Sequence, residues 1–113
     1  MRVNLFTKHL SAQEKAIFEQ TFEKRLPSIE KLLSKFDDDT VILDVTAEHF
    51  VRKNAYVVKM DLQLPGKKTL YVSEDDHTIA EAIDLAKAKL VIQLRKDKEK
   101  HQRAKGRRKV RGE

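Results

Sequence analysis

The most distinctive chemistry in the sequence is a run of positive side chains near its C-terminus. In residues 94–112, LRKDKEKHQRAKGRRKVRG, ten of nineteen positions are Lys or Arg. Residues 87–113 carry 12 Lys and Arg against 3 Asp and Glu, a net charge of +9, whereas residues 1–86 carry a net charge of −3. A segregated positive field attracts polyanions and releases their counterions. Nucleic acid or an acidic membrane face is therefore the expected partner, and a basic tail that only improves solubility is the alternative.

The residue types that usually catalyse reactions or bind metals show no such arrangement here. The histidines lie in four separate segments, without a spacing that would put two ligands on one helix face. The chain has no Cys, which excludes disulfides and thiolate chemistry, and its three Gly residues form no phosphate-binding loop. No paired nucleophile and base can be identified. We therefore expect a protein that is not an enzyme and that needs no metal or cofactor. The histidines are His9, His49, His77 and His101.

The first third of the sequence predicts a strand followed by a long helix. RVNLFTK, residues 2–8, alternates in polarity as a strand does. Ser11 and Glu14 have the spacing of a capping box, which predicts that a helix begins there. Pro27 interrupts the helix, but the apolar stripe keeps its phase as far as the DDD triplet at 37–39, so we predict one kinked helix. The stripe is Phe18, Phe22, Leu26, Ile29, Leu33 and Phe36.

Three strands with a period of two follow. Pro65-Gly66 predicts a tight turn and makes the last two strands a hairpin, while EHFVRKN, residues 48–54, connects the first two. The outward positions are mixed in charge and poor in aromatic residues, so that face is a weak candidate for stacking bases. The inward positions are Val41, Leu43, Val45 and Ala47, then Tyr56, Val58, Met60, Leu62 and Leu64, then Leu70 and Val72.

A second long helix is predicted from Thr78, which repeats the capping-box spacing with Glu81. Packing on the sheet should stop near Leu94, because Asp97 takes the next position of the buried stripe, while good helix formers could extend the helix past residue 100. Residues 106–113 have no apolar periodicity, and we expect them to be a basic tail that is disordered when free. The stripe is Ile79, Ala82, Ile83, Ala86, Leu90 and Leu94.

The order β-α-β-β-β-α predicts an α+β fold with two layers. Both helices can bury their stripes on one face of a four-stranded sheet, within a single domain of residues 1–105. A strand, a crossover helix and a second strand favour a right-handed connection with those two strands parallel. No apolar run approaches the roughly 20 residues that span a bilayer, and the N-terminus lacks the features of a signal peptide. We expect a cytoplasmic protein with no membrane partner.

The second predicted helix, AIDLAKAKLVIQLRKDKEK at residues 82–100, resembles the ribosome hibernation promoting factor family, also filed as ribosome-associated inhibitor A or sigma-54 modulation proteins. The resemblance covers about residues 1–100. It implies a fold similar to double-stranded RNA-binding domains and docking on the small ribosomal subunit and the 70S ribosome. It also implies that the chain covers 16S rRNA at the decoding region, where messenger and transfer RNA would sit. The positions that carry the resemblance are Ala82, Ile83, Asp84, Lys89, Leu90, Gln93, Leu94, Lys96, Lys98 and Lys100.

The resemblance and the helical spacing together indicate an rRNA-binding surface. Lys89 and Lys96 lie two turns apart on one flank of the buried stripe, and we expect both to be exposed, so that replacing them barely changes stability. Arg25 lies at the edge of the first helix's stripe, and an edge shared by both helices should collect these charges. The predicted rRNA-binding residues are Arg25, Lys87, Lys89, Arg95, Lys96, Lys98, Lys100 and Arg103.

Three positions depart from the family pattern. Ile92 stands where a basic residue is usual, Ser28 where a lysine is common and Ala80 where an aromatic residue is common. Some rRNA contacts must then be lost or replaced, and Arg95, Arg103 and the tail cations are the obvious substitutes.

Two other functions stay open. A regulator that binds a transcription protein would use exposed apolar surface, and Leu85, Ala88 and Ile92 form a small stripe opposite the core that also suits weak self-association. A general double-stranded RNA-binding module is the other. We expect the free chain to be a monomer.

Overall fold

A computed structural model describes residues 1–36, 40–66 and 68–111, with side chains described as far as residue 96. The element order is the predicted β-α-β-β-β-α. The elements are β1 (Arg2–Lys8), α1 (Ala12–Leu32), β2 (Ile42–Phe50), a 3₁₀ turn (Val51–Lys53), β3 (Ala55–Leu64), β4 (Lys68–Asp76) and α2 (Ile79–Arg111).

The four strands form one mixed sheet in the order β1-β2-β3-β4. β1 runs parallel to β2, as the crossover through α1 predicts, and the other two pairings are antiparallel. Val45 pairs with Leu5 on one side and with Met60 on the other, and Met60 pairs with Val72. Directly paired residues point to the same face of a sheet, so these rows place the predicted inward positions Val45, Met60 and Val72 together.

The connection between β2 and β3 is shorter than predicted. Glu48, His49 and Phe50 continue β2 and pair with residues of β3, although we expected them in the loop. Only the 3₁₀ turn and Asn54, at φ 46°, reverse the chain. Backbone pairing with β3 outweighs the charged composition of this segment.

Helix α1 begins as predicted, at a complete capping box. The Glu14 amide donates to Ser11 Oγ at 3.1 Å, and the Ser11 amide donates to Glu14 Oε1 at 2.9 Å. Pro27 lies inside the helix, which is continuous across it. The helix ends at Leu32, one turn before the end that the stripe predicted, although Phe36 still packs against the core. The DDD triplet lies outside the described residues.

Helix α2 starts at half of the predicted capping box. The Glu81 amide donates to Thr78 Oγ1 at 3.1 Å, but the Glu81 carboxyl group interacts with Asp76, which raises the pKa of Glu81. The helix ends at Arg111. The boundary between a domain of residues 1–105 and a tail of residues 106–113 falls beyond the described side chains and stays a prediction.

Both helices cover the same face of the sheet and bury their stripes in one core. The opposite face carries the outward positions of the strands, which the register aligns as Asp44–Asp61–Tyr71 and Thr46–Lys59. The buried core residues are Phe18, Phe22, Ile29, Leu33, Val41, Leu43, Val45, Ala47, Val58, Met60, Leu62, Leu64, Val72, Ile79, Ala82, Ile83, Ala86 and Leu90.

Candidate nucleic-acid interface

The predicted site residues lie on two different flanks of α2. This helix packs over β3 and β4 and beside α1, so its buried face separates a flank toward α1 from a flank toward the edge strand β4. The α1 flank consists of Asp84, Lys87 and Arg95, and the β4 flank consists of Lys89, Gln93 and Lys96, as the contacts of Asp84, Lys89 and Gln93 and the helical period assign them.

Lys89 is bound to the edge strand. Its Nζ lies 2.5 Å from Glu74 Oε1 of β4. One turn later, Gln93 Nε2 donates to the Tyr71 carbonyl of the same strand at 3.1 Å. The Glu74 side chain is only 17% exposed, whereas Lys89 is 61% exposed. A nearly buried carboxylate needs its counterion, so Lys89 holds α2 on β4 as well as presenting a charge to solvent.

Arg25 is bound to α2 on the opposite flank. Its Nε donates to Asp84 Oδ1 at 2.7 Å, and its Nη2 donates to Asp84 Oδ2 at 3.4 Å. The hydrogen bond, followed by the charge of the carboxylate, raises the pKa of the guanidinium, which is positive in any case. Both side chains keep contact with solvent, at 35% and 50% exposure.

The expectation that one edge shared by both helices collects Arg25, Lys89 and Lys96 is therefore wrong. Arg25 contacts the α1 flank, and Lys89 contacts β4. The helical wheel predicted both lysines on one flank of the stripe, but it contains no information about which neighbour lies beside that flank. A single ligand would have to cross the solvent-facing side of α2 to contact both flanks.

Three predicted residues are available without breaking a contact. Arg95 and Lys96 are exposed and Lys87 is half-buried. Among the side chains that the structure describes, no carboxylate lies within ion-pair distance of these three cations. Lys98, Lys100 and Arg103 continue along the same helix, with side chains outside the described part of the chain. The buried Leu90 anchors the part of α2 that carries Lys87, Arg95 and Lys96.

The outward face of α2 also carries exposed apolar side chains. Leu85 is 42% exposed and Ile92 is 49% exposed, with the exposed Ala88 between them. This arrangement matches the predicted apolar stripe. It lies between the two flanks, so a phosphate backbone that contacted both would cross it.

A cluster of side chains that the sequence did not predict ties α1 to the sheet. The Tyr56 hydroxyl donates to Glu14 Oε2 at 2.5 Å, and the His49 ring stacks on Tyr56 with 4.5 Å between centroids. The Ser11 amide and then the Tyr56 hydroxyl hold the pKa of Glu14 below its ordinary value, and the carboxylate raises the pKa of Tyr56. The capping-box spacing identified Glu14, but no local signal pointed to its partners on β2 and β3.

Within the described side chains, no group of three or more His, Cys, Asp and Glu residues is placed to hold a metal ion. In the same part of the chain, no helix combines the length and apolar character needed to cross a membrane.

Comparison with known proteins identifies the family. The family model described as Sigma 54 modulation protein / S30EA ribosomal protein matches residues 3–102. No curated protein matches the chain.

Two solved structures share the fold. One is a ribosomal subunit interface protein from Coxiella burnetii, with a TM-score of 0.60, 22% identity, and coverage of 88% of this chain and 99% of that one. The other is the N-terminal domain of Protein Y from Thermus thermophilus, with a TM-score of 0.58, 19% identity, and coverage of 85% and 98%. The family match spans most of the sequence, so the chain belongs to the Sigma 54 modulation protein / S30EA ribosomal protein family.

Proposed function

We propose that this member of the family is a ribosome hibernation factor, which binds 16S rRNA of the small ribosomal subunit at the decoding region and blocks messenger and transfer RNA there. In this proposal it acts in the cytoplasm, as a monomer when free, on small subunits and 70S ribosomes. The family description names a ribosomal protein, and the Coxiella burnetii structure is titled a ribosomal subunit interface protein. The role is one of binding, without a catalytic step.

The observation that carries the proposal is the cationic surface of α2. Arg95 and Lys96 are exposed on a helix anchored by the buried Leu90, so they can meet phosphates with little loss of conformational entropy. Both residues lie in the segment 87–113, which holds all of the excess positive charge, and the helix continues beyond them to Arg111. Contacts of this kind position a protein on a phosphate backbone without reading sequence.

Cosedimentation with purified ribosomes tests the proposal. The wild-type chain should pellet with 70S ribosomes and small subunits at low salt and be released as salt rises, because its attachment is mostly phosphate neutralisation. The double variant Arg95→Glu, Lys96→Glu should bind more than about tenfold more weakly. Its matched control is Arg52→Glu, Lys53→Glu, which makes the same exchanges at exposed positions of the 3₁₀ turn.

Two results would contradict the proposal. One is binding that does not respond to salt. The other is an equal loss of binding in both double variants, since that would reflect net charge alone. Inhibition of cell-free translation, with competition against messenger RNA or initiator transfer RNA, tests the blocking step separately. Unchanged translation at saturating protein would remove that step.

A regulator of transcription is a second candidate, because Leu85 and Ile92 present apolar surface on α2. It predicts that Ile92→Lys abolishes binding to a protein partner. Under the ribosomal proposal the same change adds a cation between the two flanks and should strengthen ribosome binding. A general double-stranded RNA binder would instead bind duplex RNA as tightly as it binds ribosomes.

A further inference from the structure

The ion pair between α1 and α2 lies within the proposed rRNA-binding surface. We propose that Asp84 is an affinity-determining residue. Its carboxylate competes with a phosphate of the RNA for the guanidinium of Arg25. This inference rests on the proposed function, because it assigns a role to Asp84 within the same surface.

The geometry of the pair resembles that of a phosphate contact. Two nitrogens of Arg25, Nε and Nη2, point to the two carboxylate oxygens of Asp84, at 2.7 and 3.4 Å. A guanidinium binds two phosphate oxygens with the same fork of donors. The carboxylate therefore occupies the position that a phosphate would take, and Arg25 cannot bind both in this way.

The exposure of the pair allows exchange. Arg25 and Asp84 are 35% and 50% exposed, so either can separate from the other and be hydrated. The Lys89–Glu74 pair differs, since the nearly buried Glu74 carboxylate would be left without its counterion if Lys89 turned to a phosphate. Of these two cations, Arg25 is the one that RNA can recruit.

Exchange has a thermodynamic consequence that salt dependence reports. When Arg25 leaves Asp84 for a phosphate, the RNA releases a counterion. The unpaired Asp84 carboxylate then attracts a cation from solution. The net release for this contact is therefore close to zero, and Asp84 stays near the phosphate and repels it. Removing the carboxylate charge reverses both effects. The salt slope should then steepen by about 0.7–0.9 for the one added contact.

The test measures binding of the full chain to purified 70S ribosomes across a salt series. Asp84→Asn should bind about threefold or more tightly at low salt, with a steeper slope. The matched control is Glu23→Gln, which makes the same change of net charge at an exposed position of α1, about half a turn from Arg25 and away from α2. Its effect should be clearly smaller. In an Arg25→Gln background, Asp84→Asn should lose most of its advantage, because Asp84 acts through Arg25.

Asp84→Ala, which cannot form the amide's hydrogen bonds, should reproduce the gain of Asp84→Asn. Three results would overturn the inference: binding of Asp84→Asn that equals or falls below wild type, a gain no larger than that of Glu23→Gln, or a gain that persists without Arg25. If one of these results is found while the wild-type chain binds ribosomes in a salt-dependent way, only this inference fails and the proposed function stands. A wild-type chain that does not bind ribosomes would refute the proposed function together with it.

Discussion

Lys89 should stabilise the fold, and this prediction separates it from Lys96 on the same flank. Lys89 Nζ lies 2.5 Å from a Glu74 carboxylate that is only 17% exposed, whereas Lys96 is exposed with no described partner. Breaking a buried ion pair costs about 3–5 kcal/mol, and an exposed pair contributes about 0–1 kcal/mol. The Lys89–Glu74 pair is intermediate, because only its carboxylate is nearly buried.

We therefore expect Lys89→Gln to lower the free energy of unfolding by about 1–2 kcal/mol. Lys89→Glu should cost more, since it places a second carboxylate beside Glu74. The melting temperature of a domain of this size falls by about 4–8 °C per kcal/mol, so the change is easily measured by circular dichroism. Lys96→Glu should stay within about 0.5 kcal/mol of wild type.

A double-mutant cycle with Glu74→Gln supplies the control. If the pair acts as described, Glu74→Gln should recover part of the loss in Lys89→Gln, because an uncharged amide does not need a counterion. Equal melting temperatures for Lys89→Glu and Lys96→Glu would show that the contact between Lys89 and Glu74 does not stabilise the fold. The sequence alone led us to expect that outcome, since spacing showed both lysines on the polar side of α2 and did not reveal Glu74.

The Glu14–Tyr56 hydrogen bond, the buried Leu90 and the C-terminal segment can each be tested by one change. Tyr56→Phe should lower the free energy of unfolding at pH 7 by about 1–2 kcal/mol, because Glu14 loses a charge-assisted hydrogen bond. The pKa of Glu14 is below its ordinary value of 4.5 in the folded state, so its contribution is present above pH 4.5 and is lost as pH falls through the folded-state pKa. The deficit of Tyr56→Phe should therefore shrink in acid urea titrations, and a constant deficit would contradict this account. Leu90→Ala should cost about 2–5 kcal/mol by denaturant unfolding, since Leu90 is buried beneath the proposed surface, and a cost below 1 kcal/mol would show that α2 is not anchored there. Deletion of residues 107–113 should weaken ribosome binding less than Arg95→Glu, Lys96→Glu and should flatten its salt dependence in a filter-binding series, and a complete loss of binding would make the tail the main contact.

The parts of the fold that sequence predicted depend on local signals. The capping box of Ser11 and Glu14 fixed the start of α1, and the alternation of Val41 to Ala47 fixed the inward face of β2. Pro65-Gly66 predicted the β3–β4 turn, where Gly66 has a φ of 82° that favours glycine. These signals act over a few residues, so the sequence contains all of the information that they need.

The parts that sequence did not predict depend on contacts between distant residues. Arg25 and Asp84 are 59 positions apart, and their pairing follows from how two helices pack side by side. The stacking of His49 on Tyr56 requires the register of β2 against β3, which also extends β2 through Phe50. Helical spacing showed that the cations avoid the core, but only the packing showed which of them are already bound to carboxylates.

Chemical footprinting of 16S rRNA in small subunits tests whether the protein occupies the decoding region through the cations of α2. We predict that saturating wild-type protein protects nucleotides of the decoding region, that Arg95→Glu, Lys96→Glu loses this protection, and that Arg52→Glu, Lys53→Glu keeps it. Protection confined to another part of the subunit, or protection of the decoding region that survives reversal of both α2 charges, would contradict the account.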